Sequence, residues 1–316
     1  MRKLVLLALL FPVVLGAAEF TEVEITSSKD GAKQKAFWWH PESASQQEVP
    51  LLVILHTWSG NYRQKNWKEP GLKECAKRGW AVIHPDFRGP NWTPKACASE
   101  FAVQDVLDAV AWARKQIKVD TKRIYLTGTS GGGHMSLVMA GRAPELWAGV
   151  SAWVPISDLA QWHRDCTEAG RGYAKHMEKA CGGKPGDSAK IDAEFRQRSP
   201  ITHLANAKGV ALDINHGVHD GHTGSVPATH SLVAFNIMAD VNGFPHRKLD
   251  QSQLQHVRTK RKIPAALGQP QVIDENRKRA VLFRREAGPA RVTLFEGGHE
   301  GDMTAAINWL AKQRKD

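Results

Sequence analysis

A chain of 316 residues with 42% apolar and 24% charged residues has room for a sizeable core and reads as globular, neither disordered nor fibrous. The formal net charge of +11 favours acidic partners over basic ones. Beyond the first apolar run no stretch is long and apolar enough to span a bilayer, so no later membrane-spanning helix is expected.

Arg2 and Lys3 precede an apolar run from Leu4 to Leu15, and Gly16-Ala17-Ala18 supplies small residues at a cleavage point. Residues 1–18 therefore read as a secretory signal peptide, and the mature protein is expected to be secreted or periplasmic. Four cysteines without C-x-x-C spacing agree with an oxidising compartment. Nearest-neighbour disulfides, Cys75–Cys97 and Cys166–Cys181, are the expected pairing among three connectivities.

From Phe20 to Trp39, two alternating runs flank Lys29-Asp30-Gly31 and predict an edge hairpin. Leu51 to Leu55 is continuously apolar, as a strand buried on both faces must be. Helical spacing over 67–78, a strand over 80–84, an irregular loop over 87–97 and an amphipathic helix over 100–117 follow. Strands are predicted at 123–127 and 147–154. The segment 158–198 is polar and partly helical, a cap over the carboxyl edge of the sheet. Val210 to Ile214 returns as a strand and Ser225 to Ala239 as a helix. Residues 243–278 show little periodicity, and their basic run Arg258-Thr259-Lys260-Arg261-Lys262 reads as a solvated face. A hairpin around Gly288-Pro289 and a helix over 303–313 close the chain. This alternation predicts an α/β protein, a doubly wound, mostly parallel sheet covered on both sides.

Between the 123–127 strand and the helix after it lies Gly128-Thr129-Ser130-Gly131-Gly132, which fits G-x-S-x-G. In that strand-to-helix turn a strained Ser projects its hydroxyl from the sheet, and the helix start offers N–H groups to an oxyanion. A serine hydroxyl needs a base, and the base a carboxylate, both from loops at the carboxyl ends of later strands. In the order Ser, acid, His, the candidates are Ser130 as nucleophile, Asp220 as acid and His299 as base. Asp213 is the rival acid, but it lies within its strand. The oxyanion donors are expected to be the backbone N–H groups of Gly131 and Trp58, with Thr57 the runner-up. Trp58, Trp153 and Trp162 are the candidate substrate-lining tryptophans. His134 reads as a supporting or core residue. His216, His219 and His222 lack a second ligand cluster, so neither a metal nor a cofactor is expected.

The elbow, Arg198-Ser199-Pro200, the run His216-Gly217…Asp220…Val226-Pro227…Ser231, and Gly298-His299 together resemble the catalytic domain of the prolyl oligopeptidase family. They resemble most its secreted, single-domain, esterase-like bacterial members, from about Val49 to the C-terminus. The resemblance implies an α/β-hydrolase fold and assigns Ser130, Asp220 and His299 the same roles. Two departures bear on substrate. About thirty residues precede the first buried strand, where the family's peptidases carry a β-propeller. Gly221-His222-Thr223-Gly224-Ser225 also lengthen the loop after Asp220. The expected activity is ester hydrolysis through an acyl-enzyme, with an acidic or acylated polysaccharide as substrate. A peptidase for small peptides and a non-catalytic polysaccharide-binding protein are the alternatives.

Overall fold

The structure is a computed structural model that describes residues 18–268 and 272–316. Ala18 apart, the predicted signal peptide lies outside the described residues. No helix among the described residues is long and apolar enough to cross a membrane.

A hairpin of β1 (Thr21–Thr26) and β2 (Lys33–Trp39) pairs antiparallel to β4 (Ala81–Pro85) at one edge of a nine-stranded sheet. The sheet runs β1-β2-β4-β3-β5-β6-β7-β9-β8. Its parallel interior comprises β4, β3 (Val49–Leu55), β5 (Val119–Thr129), β6 (Gly149–Trp153), β7 (Leu212–Gly217) and β9 (Ala290–Phe295). β8 (Val281–Ala287) closes the far edge antiparallel to β9.

The apolar run of β3 is explained by its two faces. Leu51, Val53 and Leu55 join the core beneath α2 (Glu100–Gln116), α3 (Gly131–Arg142) and α7 (Thr229–Val241). Leu52 and Ile54 join the core beneath α1 (Lys65–Arg78) and α9 (Met303–Leu310). Every residue of β3 is buried, and each such aliphatic side chain contributes roughly 1.5–3 kcal/mol relative to exposure. The helices start where their capping residues permit. The Ser99 hydroxyl accepts the Ala102 N–H ahead of α2, and the Asp302 carboxylate accepts the Ala305 N–H ahead of α9.

Three helices, α4 (Leu159–Glu168), α5 (Tyr173–Cys181) and α6 (Ala189–Gln197), occupy the segment expected to be a cap, a name kept for it below. Its interior, with Leu159, Trp162, Met177 and Phe195, packs onto Trp58 from the loop after β3. The Arg198 guanidinium fastens the cap to the 87–97 loop through the carbonyls of Pro94, Ala96 and Cys97. Buried Asp165 on α4 accepts hydrogen bonds from His230 of α7 at 3.3 Å and Arg258 at 2.8 Å. Burial raises the Asp165 pKa, but those donors outweigh it and hold the carboxyl at about 2.

Arg258 corrects the reading of 243–278 as irregular. Gln251–Lys260 is a helix, α8, entered through a reciprocal capping box between Asp250 and Gln253. The basic run ends that helix, and its first member braces the cap instead of facing solvent alone.

The disulfide expectation is also corrected. All four thiols are free and buried. Cys75 faces the sheet from α1, whereas Cys97, Cys166 and Cys181 sit in the cap interior, so the elements that carry Cys75 and Cys97 pack in different cores. Burial pushes Cys97 and Cys166 up to about 12, which leaves them as protonated core residues.

Close approach of α3 to the sheet rests on missing side chains. A Cβ on Gly132 would lie 2.5 Å from the Leu55 carbonyl oxygen, a backbone atom that cannot yield. Gly132→Ala is expected to lower stability by about 3 kcal/mol. Gly172→Ala, at a residue with open space around it, is expected to leave the thermal midpoint nearly unchanged. Thermal unfolding followed by circular dichroism compares the two.

Candidate active site

Ser130 lies between β5 and α3 with φ 58° and ψ −119°, a conformation that non-glycine residues rarely adopt and that costs on the order of 1–3 kcal/mol. Its Oγ is 2.8 Å from His299 Nε2, and His299 Nδ1 is 2.6 Å from Asp220 Oδ2. The carboxylate can only accept, so Nδ1 carries the hydrogen and Nε2 faces the serine hydroxyl as an acceptor. The sheet supplies this alignment. β7 and β9 are neighbours, and the loops that leave their carboxyl ends carry Asp220 and His299. Gly217 at the end of β7 lies so close to the Gly297 and Gly298 carbonyls that any side chain would separate the loops.

The Asp220 side chain is fully buried. Its Oδ1 accepts the backbone N–H groups of Gly221 and Val226 at 2.8 and 3.1 Å. Its Oδ2 accepts from His299 and, at 3.1 Å, from His216 Nε2. Burial raises its pKa, but the hydrogen bonds from His216 and His299 prevail and hold the carboxyl well below its ordinary range. His216 is fixed in turn by the Val226 carbonyl at Nε2 and the Ser231 hydroxyl at Nδ1. Sequence reasoning missed this supporting histidine. The lengthened loop packs Gly224 against Asp220 and the Cβ of His299, and so seals the acid.

The other candidates sort by contact. Asp213 bonds Arg291, Ser151 and Asn215 within the sheet, away from Ser130. His219 reaches Glu296 and His222 the Arg258 carbonyl, so with His216 on Asp220 the three histidines serve different partners. No group of three metal-ligating side chains is assembled among the described residues. His134 is buried in α3 and donates Nε2–H to the Arg198 carbonyl at 2.8 Å. Burial pushes it down to about 4, and His84 down to about 3.

The Trp58 N–H has no hydrogen-bond acceptor among the described residues. The Gly131 N–H, at the first position of α3, precedes any helical carbonyl that could accept it. A Cβ on Gly131 would lie 2.4 Å from the Trp58 nitrogen, so the two donors are neighbours beside Ser130. The Thr57 N–H is already given to Gln64 Oε1 at 2.8 Å, which removes the runner-up.

Ser130 and His299 open onto a cleft of about 400 Å³ whose walls include Thr57, Trp58, Gln64, Asn66, Trp67, Tyr173 and Glu300. Two predicted lining residues are absent from it. Trp153 is 2% exposed, bonds Ser151 and packs on Phe295; Trp162 is 1% exposed and bonds the Ser225 carbonyl behind Trp58. Both indoles fill core. Trp67 from α1 and Tyr173 from the cap occupy the wall instead.

A parallel sheet with a strained serine between strand and helix, and an imidazole and carboxylate on the loops of later strands, defines an α/β-hydrolase. The chain belongs to the prolyl oligopeptidase family of serine hydrolases, which matches residues 71–263. It is similar to acetylxylan esterase A of Aspergillus ficuum, 36% identical over 134 residues, and to that of Aspergillus oryzae, 26% identical over 134. Each match covers 37% of this chain and 44% of the relative, so the chain spans less than half the length of these curated relatives. Among solved structures, an acetyl xylan esterase from Paenibacillus sp. R4 superposes with a TM-score of 0.64 at 17% identity. It covers 96% of this chain and 87% of the other. The Pyrococcus horikoshii acylaminoacyl peptidase gives 0.59 at 17% identity, over 72% of this chain and 36% of the peptidase.

Two outcomes are expected. Asp220→Asn should reduce kcat by on the order of 10⁴, because an amide facing His299 favours the wrong tautomer; steady-state ester hydrolysis reads this. Histidines held neutral in the fold take up protons on unfolding below pH 6.5, so stability should fall as pH drops from 6.5 toward 4. Each contributes a slope of up to about 1.4 kcal/mol per pH unit. Urea unfolding across that range should show His134→Gln with the shallower slope.

Proposed function

We propose that the protein is an exported serine esterase that removes acyl groups from a polysaccharide. The observation that carries the reading is the Asp220–His299–Ser130 relay beside two unspent backbone donors, open to a polar cleft. Ser130 Oγ attacks the ester carbonyl carbon while its proton passes to His299 Nε2. The carbonyl electrons move to an oxyanion held by the Trp58 and Gly131 N–H groups and favoured by the α3 dipole. Asp220 remains ionised and stabilises the imidazolium. Collapse expels the alcohol, which takes the proton from His299. Water, deprotonated by the same imidazole, attacks the acyl-enzyme and frees the acid.

Three observations support an ester on a polysaccharide over a peptide. The acetylxylan esterase relatives match this chain over 134 residues, and the Paenibacillus esterase covers nearly the whole fold, whereas the peptidase match covers about a third of its partner. Tyr173 gives the cleft an aromatic face beside Asn66 and Glu300, a mixture suited to pyranose rings and their hydroxyls. The basic composition suits an acidic polymer, and the N-terminal apolar run supports export.

The test is hydrolysis of 4-nitrophenyl acetate, an aryl nitrophenyl ester and acetylated xylan beside alanyl and prolyl nitroanilides. Esters are expected to turn over and anilides to remain nearly silent, with Ser130→Ala losing about 10⁴-fold or more. Undiminished hydrolysis by Ser130→Ala would sink the catalytic reading, and anilides cleaved faster than esters would replace it with a peptidase.

A further inference from the structure

The oxyanion donors are backbone groups, and side chains decide where they point. After β3 the chain runs through His56-Thr57-Trp58-Ser59-Gly60, and Gln64, just ahead of α1, folds its amide back onto that loop. Gln64 Oε1 accepts the Thr57 N–H at 2.8 Å, and Gln64 Nε2 donates to Thr57 Oγ1 at 2.8 Å. On the other side, the Trp58 carbonyl accepts the Asn91 backbone N–H at 2.9 Å and Asn91 Nδ2 at 3.3 Å. Between these grips lies the Thr57–Trp58 peptide, whose carbonyl takes the Gly60 N–H at 3.1 Å and whose own N–H is unspent.

We infer that Gln64 is a positioning residue for the oxyanion hole: its amide occupies the Thr57 N–H and fixes the plane of the next peptide, so that the Trp58 N–H faces the developing oxyanion. A backbone donor without such a clamp must be reoriented during the reaction, and preorganisation is what makes oxyanion donors effective. The Thr57 N–H would otherwise compete as a second, misdirected donor. Gly60 completes the arrangement, since a Cβ there would lie 2.5 Å from Gln64 Oε1 and push the amide off Thr57. The assignment rests on the esterase reading given above.

The experiment compares Gln64→Leu, Gln64→Glu and Gly60→Ala with the native enzyme. It measures kcat and KM for 4-nitrophenyl acetate and the affinity for phenylboronic acid, whose boron becomes tetrahedral and anionic on bonding Ser130 Oγ. Gln64→Leu should lower kcat 10- to 100-fold with KM within about twofold, and weaken boronate binding by a similar factor. Gln64→Glu keeps an acceptor for the Thr57 N–H but brings a negative charge toward the oxyanion, so it too should lose kcat with KM within about twofold. Gly60→Ala should reproduce the Gln64→Leu pattern without altering the glutamine, which carries the test if Gln64→Leu does not fold. Native kcat and boronate affinity in Gln64→Leu or Gly60→Ala would overturn the assignment. A loss confined to KM in any of the three variants would also overturn it, by making the amide a substrate contact. If Ser130→Ala abolishes activity while Gln64→Leu is native, the esterase reading stands and this inference alone falls.

Discussion

The site depends on how closely the start of α3 can approach the backbone leaving β3. Gly131 and Gly132 contribute no side chains there, so the Trp58 nitrogen and the Leu55 and His56 carbonyls occupy space that Cβ atoms would take. That contact places the free N–H of the β3 loop beside the first N–H of the helix, and it holds Ser130 in its strained conformation. The strain persists because β3 and β5 on one side and the packed face of α3 on the other determine the turn from both ends. Elements far apart in sequence thus converge on a single serine oxygen.

Two buried carboxylates near the carboxyl half of the sheet show how environment divides labour. Asp213 is neutralised by the Arg291 guanidinium at 2.6 Å and spends its other oxygen on Ser151 and Asn215, which fixes strands to one another. Among the described residues, no guanidinium bonds Asp220. Two imidazoles and two backbone N–H groups hold it, so its charge faces the His299 ring without a competing cation. A guanidinium at that position would neutralise the carboxylate and weaken its support for an imidazolium.

Much of the fold was legible in the sequence, because its signals are local. The apolar run of β3, the alternating hairpin of β1 and β2, and the glycine spacing at the elbow each reflect a constraint acting within a few residues. The positions of Ser130, Asp220 and His299 followed from chain order and strand ends. What was not legible depends on contacts between distant segments. Trp153 and Trp162 read as cleft residues, but which indole meets solvent is decided by Phe295 and by the Ser225 carbonyl. Cysteine spacing says nothing about which core each helix faces, so Cys75 was paired across two of them. For α8 a signal existed: Asp250 and Gln253 carry the spacing of a capping box, and the weak apolar period that follows concealed it.

The bracing of the cap carries a kinetic implication. Asp165 ties α4 to α7 and α8, and Arg198 ties the end of the cap to the 87–97 loop, both through buried, charge-assisted hydrogen bonds. Swinging the cap outward would break both sets at once and carry Asp165 away from His230 and Arg258. The cap therefore opens only when both sets break together, and the closed cap, with Tyr173 on the cleft wall, is the prevailing state.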